Sequence, residues 1–131
     1  MPAANSFEWT VMRVVPRVER GEAINVGVIL YCGASRFLGA RIALDRARLA
    51  ALDPTTDADE LEKALAVIPR ICAGDRDAGP IAKLPLAERF SWLASPRSTI
   101  TQPGPVHTGI ASDAEVALQE IFERMVLPLS R

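Results

Sequence analysis

Apolar and polar residues alternate from position 7 to position 15. Phe7, Trp9, Val11 and Val15 fall on one side, and Glu8, Thr10, Met12 and Val14 on the other. A period of two carried by aromatic and β-branched residues predicts a strand. Pro16 has no N–H to donate and ends the pairing, so residues 17–21 read as a turn. A second strand is expected over residues 22–31, with Ile24, Val26, Val28 and Leu30 on one face. Residues 32–35 turn the chain again. A third strand over residues 36–44 then carries Leu38, Ala40, Ile42 and Leu44 on one face. Two short connections in succession predict an antiparallel meander.

The period then changes to that of helices. Asp45 is placed to cap a short helix through Leu52. Asp57 with Glu60 three residues on has the spacing of a capping box. Leu61, Leu65 and Ile68 follow as an apolar stripe, which Pro69 should stop or kink. Residues 73–84, with Gly74, Gly79 and Pro80, read as a loop. Pro85 suits a first helical position, and Leu86, Phe90 and Leu93 make the next stripe. Residues 95–109 hold Pro96, Pro103 and Pro105, leaving room for a short strand at 98–101 but no helix. Ser112 and Glu115 form a capping box ahead of Leu118, Ile121, Phe122, Met125 and Val126. Strands first and helices after give an α+β fold. We expect an antiparallel β-meander of three to four strands with helices packed on one face, in a single domain over residues 1–131 with a disordered tail at 1–5.

The composition narrows the classes. The chain has 131 residues, 49% hydrophobic and 24% charged, which suits one globular domain. Fifteen Lys and Arg against 16 Asp and Glu give a net charge of −1. A dedicated duplex-DNA or anionic-membrane binder needs a basic excess, and 5% aromatic content offers few stacking platforms for single-stranded nucleic acid. No apolar run approaches the roughly 20 residues of a membrane span. The opening residues lack the charged and apolar regions of a signal peptide, so the expected location is the cytoplasm, in a bacterium given 13 Arg to two Lys. Cys32 and Cys72 lack metal-ligand spacing and read as buried free thiols. Neither a metal nor a cofactor is implied. A mean hydropathy of +0.14 suggests apolar surface covered by a partner or a second copy, so a homodimer is open.

Two places break local rules and become candidate sites. At the first hairpin, Arg13 stands on the apolar row of strand one, where Glu8 or Glu22 is in range to pair with it. Asn25 and Gly27 share the sparser face of strand two, where Asn is poor and Gly signals close backbone approach. The second place is the Pro-rich stretch 95–109. It gathers Arg97, Ser98, Thr99, Gln102, Thr108 and the lone His107. A guanidinium beside hydroxyls can hold a phosphate or carboxylate, and His107 is a weak catalytic candidate as acid or base. There is no nucleophile elbow, Walker loop or dinucleotide fingerprint. Phe90 and Trp92 read as core.

Taken together, several segments form a recognisable combination. Arg13-Val14-Val15-Pro16-Arg17 leads to Glu19-Arg20-Gly21-Glu22 and Asn25-Val26-Gly27-Val28-Ile29-Leu30. Phe37-Leu38-Gly39-Ala40-Arg41 and Leu84-Pro85-Leu86-Ala87-Glu88-Arg89-Phe90-Ser91-Trp92-Leu93 follow. Ser95-Pro96-Arg97-Ser98-Thr99, Gln102-Pro103-Gly104-Pro105-Val106-His107-Thr108-Gly109 and Leu118-Gln119-Glu120-Ile121-Phe122-Glu123-Arg124-Met125-Val126 complete it. From about Phe7 to Val126 the chain resembles the bacterial domain of unknown function 3037 family. That family carries no assigned activity or catalytic residues. The resemblance implies a genomic habit, since such genes often lie beside genes for HipA-like serine/threonine kinases, and so a kinase-like protein partner. The family pattern falls on the same two candidates: Arg13, Arg17, Glu19, Arg20, Glu22, Asn25 and Gly27 at the hairpin, and Arg97, Ser98, Thr99, Gln102, His107 and Thr108 in the loop.

The leading expectation is a non-catalytic binding or accessory domain acting through a joined polar surface of hairpin and loop. The alternative is a small enzyme or binder of nucleotide or phosphate ligands, with Arg97 clamping the anion and His107 moving the proton.

Overall fold

The computed structural model describes residues 3–129. In chain order they form β1 (Asn5–Val14), β2 (Ile24–Cys32), β3 (Phe37–Ile42), α1 (Arg46–Leu52), α2 (Ala58–Cys72), two short 3₁₀ turns at Arg76–Ala78 and Pro80–Lys83, α3 (Leu86–Leu93), β4 (Thr101–Pro103), β5 (His107–Ala111) and α4 (Ala114–Met125). The class is α+β, and every strand pairing is antiparallel. The sheet has five strands, not three or four. β3, β2 and β1 make the expected meander, and the far edge of β1 is shared by β4, which pairs with residues 12–14, and β5, which pairs with residues 5–9.

Helices cover both faces, not one. The reason is in the register of β1 and β2. Glu8 to Met12 pair in step with Tyr31 to Gly27, but Arg13 then faces Asn25 and Val14 faces Ile24, leaving Val26 as an extra residue. A one-residue bulge reverses which side of the sheet each later residue occupies. Ile24 and Val26 therefore join the core with Met12, Val14 and Ile29, while Val28 and Leu30 join another with Phe7 and Val11. The expectation that Ile24, Val26, Val28 and Leu30 share a face fails at this bulge. Gly27 follows it, and an added Cβ there meets the Arg41 carbonyl at 2.9 Å, so the close approach expected of this glycine is present.

On the first face, Leu49 of α1, Leu61, Leu65, Ile68, Ile71 and Cys72 of α2, and Phe90 and Leu93 of α3 close the larger core. On the second, α4 is the one helix among the described residues that packs, through Ala117, Leu118, Ile121 and Phe122, with Val126 after it. Complete burial of a Leu such as Leu118, at 0% exposure, contributes about 1.5–3 kcal/mol. Arg41 of β3 fixes α4 from the side, donating from Nε to Gln119 Oε1 at 3.3 Å and pairing with Glu115 at 3.4 Å.

Asp45 and Asp57 cap α1 and α2 as expected, accepting from the Arg48 and Glu60 amides. Pro69 does not end α2, which runs on to Cys72. Pro69 donates no hydrogen bond to the preceding turn, and burial of Ile71 and Cys72 offsets that loss. At α4 the capping residue is Asp113 rather than Ser112; its carboxylate accepts from the amides of Glu115 and Val116. The strand expected at 98–101 starts three residues later, and His107 and Thr108 lie in β5 instead of a loop. Of the tail expected at 1–5, residues 1 and 2 lie outside the described residues, and Asn5 already pairs with Ala111.

Candidate functional site

The first hairpin and the Pro-rich stretch do meet. The Val15 amide donates to the Ile100 carbonyl at 2.7 Å, and β4 continues the contact along β1. The side chains they bring do not converge on one site, however. Arg17 turns toward the end of α1, where Nε lies 3.2 Å from a buried Asp53 carboxylate. Asp53 also accepts from the Thr55 hydroxyl and amide, and these bonds, with Arg17 beside them, hold its carboxyl below the ordinary carboxylate value. Arg20 pairs with Glu22, and Glu19 is exposed. The notch between Pro16, Arg17, Arg20, Glu22 and Leu52 holds only about 10 Å³, room for roughly one water molecule.

Arg97 is equally engaged. Its guanidinium donates to the carbonyls of Trp92 at 2.8 Å, Leu93 at 3.0 Å and Ser95 at 3.3 Å, and lies 5.0 Å from the centre of the Trp92 ring. It closes the C-terminus of α3, where carbonyls lack helical partners, and partial burial lowers its pKa. Trp92, expected in the core, is 42% exposed and serves as the plate under this cation. Ser98 and Thr99 are exposed. The Thr99 hydroxyl donates to the Thr101 carbonyl, and Gln102 Nε2 donates back to the Thr99 carbonyl, both at 2.8 Å. These are contacts that shape a loop.

His107 lies elsewhere. In β5 it faces Trp9 across the pair, with the ring centres 4.6 Å apart and the planes tilted by 34°. That places it on the α4 face, whereas Arg97 is bound to α3 on the other. The fold therefore does not bring together Arg97, expected to clamp an anion, and His107, expected to move the proton. Thr108, opposite Glu8, faces away from His107 as well.

What assembles instead is a row on the part of the α4 face that α4 leaves open. Arg13 sits between Asn25 and Gln102 in register, and Trp9 with His107 lies four residues back along β1 on the same face. Asn25 Nδ2 donates to the Met125 carbonyl at 2.9 Å and ties down the end of α4. Glu8 is on the opposite face and Glu22 belongs to Arg20, so neither of the partners expected for Arg13 reaches it. Among the described residues no carboxylate pairs with Arg13, and its half-buried guanidinium donates no hydrogen bond. It packs on Gly104, where an added Cβ would stand 2.8 Å from Nη2. Arg124 of α4 is exposed and likewise unpaired among the described residues. It lines a cavity of about 490 Å³ beside Asn25, Arg48 and Met125, and also a groove of about 380 Å³ floored by Phe7 and Trp9.

A family model described as "Protein of unknown function (DUF3037)" matches residues 9–126. The chain belongs to this family. No curated protein and no solved structure matches it. The family span takes in the whole open row from Trp9 to Arg124. Among the described residues no helix is long and apolar enough to cross a membrane, and no group of three metal-ligating side chains gathers.

Of this open row, sequence reasoning points to Arg13, Asn25, Gln102 and His107 and passes over Trp9 and Arg124. Trp9 was hidden because its alternation reads as core, although it shares a row with Arg13. Arg124 lies on a helix whose apolar stripe gives no sign of what its flank faces.

Proposed function

We propose that this DUF3037 protein is a non-catalytic binding or accessory domain of the bacterial cytoplasm. It acts through the open row of Trp9, Arg13, Asn25 and His107. The observation that carries this reading is Arg13: a half-buried guanidinium held between strands, with no partner among the described residues, in one row with the tilted Trp9–His107 ring pair. A guanidinium without an internal acceptor is matched by a carboxylate or phosphate from outside, and Arg and aromatic anchors dominate binding energy at interfaces. The family's gene neighbourhood supports a HipA-like kinase as the partner. Of the arginines expected on this surface, Arg13, Arg17, Arg20 and Arg97, the reading keeps Arg13, because the other three already have partners within the fold.

The test is capture of a HipA-like kinase by tagged protein. Wild type and Arg17→Ala are expected to retain it, and Arg13→Ala to lose it. Equal capture by Arg13→Ala and wild type contradicts the assignment. The enzyme reading is tested by turnover of phosphate esters or nucleotides; activity that disappears in His107→Ala would restore it.

A further inference from the structure

The outer edges of the sheet are β3 on one side and β4 and β5 on the other. Charge, proline and covering elements are the usual guards of an exposed edge. β3 carries Arg41 and is flanked by α2 and α4. β4 holds Pro103. β5, His107-Thr108-Gly109-Ile110-Ala111, has no proline and no Lys, Arg, Asp or Glu. Among the described residues its strand partner is β1 alone, so the opposite edge of β5 presents unpaired main-chain donors and acceptors.

The side chains along this edge form an apolar row. Thr108 and Ile110 stand opposite Glu8 and Ser6 of β1, on the α3 face. Val106, just before β5, lines a cavity of about 320 Å³ on that face with Glu8, Phe90 and Ala94. Val106 is 44% exposed and Ile110 is 74% exposed, with exposed Thr108 between them. On the α4 face the strand shows His107 and Gly109, which lie against Trp9 and Phe7. Pro105 ends the pairable stretch, because it has no amide hydrogen to give.

We infer that the free edge of β5 pairs antiparallel with β5 of a second copy about a twofold axis at Thr108, and that the open strips of the two copies become one binding surface. With the axis there, Val106 faces the second copy's Ile110 at both ends, and Thr108 faces its own copy. Such β-branched and Thr–Thr pairs favour cross-strand packing. An axis at Gly109 would instead set Ile110 against Thr108 and Val106 against Ser112. No charged side chain of this edge meets another across the seam. Glu8, one strand in, is three strand spacings from its copy, about 14 Å, beyond the screening length of roughly 8–10 Å. A second copy is the favoured occupant because this edge complements itself in both apolar pattern and charge.

The α4 face gives the pairing its consequence. α4 packs on β2 and β3 and leaves β1 and β5 open. In the pair, β1 and β5 of both copies form a floor between two α4 helices. About six strand spacings of roughly 4.8 Å separate the helix axes, and helices about 10–12 Å across leave roughly 18 Å between them. That trough admits a helix of a protein partner, whereas one copy supplies a single wall. Both Trp9–His107 pairs lie near its middle, and an Arg13 stands toward each end. This inference rests on the reading of the α4 face as a binding surface and supplies that surface's second half.

Sedimentation velocity of the full chain over about 1–100 µM tests the pairing, the range suited to a contact smaller than a standard interface. Wild type is expected to form a reversible dimer. Val106→Lys and Ile110→Glu, both at exposed positions, should each weaken it about tenfold or more, because the twofold counts every change twice. Their circular dichroism and thermal midpoint should match wild type. The double variant V106K/I110E should dimerise again, since position 106 faces position 110 of the second copy and opposite charges then meet. Capture of a HipA-like kinase should follow the dimer, weakened in each single variant and restored in the double one. A wild-type chain that stays monomeric overturns the inference, as does a double variant that is not rescued. Capture that is equal in wild type and the monomeric single variants overturns the shared surface. If capture still depends on Arg13 in any of these cases, the wider reading stands. Rescue of the dimer with no capture by any variant, wild type included, supports the pairing and overturns the wider reading.

Discussion

The face covered by α1, α2 and α3 and the open strip beside α4 on the other face use arginine in opposite ways. On the face covered by α1, α2 and α3, polar side chains serve the fold. Arg97 closes the end of α3, and Arg89 donates from Nη1 to the carbonyls of Ile71 and Cys72 at the end of α2. Arg17 holds Asp53. On the other face α4 covers β2 and β3, and the strip along β1, β4 and β5 stays open. There Arg13 and Arg124 have no acid partner among the described residues, and His107 packs at a tilt against Trp9. A half-buried arginine such as Arg13 is informative about function when the fold has given it nothing to hold. In a chain with 13 arginines, partnership distinguishes the candidates better than position in a motif.

This contrast predicts a graded set of effects. Leu93→Ala, at 1% exposure in the closed face, should cost about 2–5 kcal/mol in a denaturant titration and leave partner capture intact once refolding is complete. A loss of capture in folded protein would couple the two faces. Arg97→Ala should cost about 1 kcal/mol through the carbonyls it leaves without a donor, again without touching capture.

Acid should act through the closed face. The Asp53 carboxyl is held below its ordinary value of 3.8 by Thr55 and Arg17. A depressed value means stability that is present above pH 4 and is lost as the pH falls through the folded-state value. The Asp53→Asn variant should therefore show a smaller drop in stability between pH 4 and lower pH than wild type. An identical acid limb in both proteins contradicts the role given to this carboxylate. Cys72 supplies a kinetic check. Burial pushes its thiol up to about 12, so native protein at pH 8 should react with iodoacetamide at this site only as fast as it opens. The smallest effect on stability belongs to Arg13→Ala, within about 0.5 kcal/mol, because the fold gives that guanidinium no partner to lose.

Much of the architecture was legible in the residues. Alternation marked β1 and β3, and Asp45 and Asp57 announced two helix starts. The two-sided burial of the sheet was written in β1 as well, since Met12 and Val14 are apolar on the side opposite Phe7 and Val11. The bulge at Val26 was not legible, because Ile24, Val26, Val28 and Leu30 alternate without a break and only pairing to β1 reveals the extra residue. β4 and β5 were obscured by Pro103 and Pro105, which argue against strands unless the strand lies at an edge, as both do. The candidate site was half legible for a related reason. Arg13 and Asn25 stood out as polar residues in strands, but whether a cation already has a partner depends on contacts between distant segments. Asp53 and the carbonyls of α3 removed Arg17 and Arg97, and no local pattern announces either contact.

The most direct test is a paired measurement on Arg13→Ala and Arg97→Ala, reading unfolding free energy and kinase capture in the same preparations. The account predicts a crossed result: Arg13→Ala keeps its stability and loses capture, and Arg97→Ala loses stability and keeps capture. Capture that fails with Arg97→Ala and survives in Arg13→Ala would contradict it and return the binding surface to the Pro-rich loop.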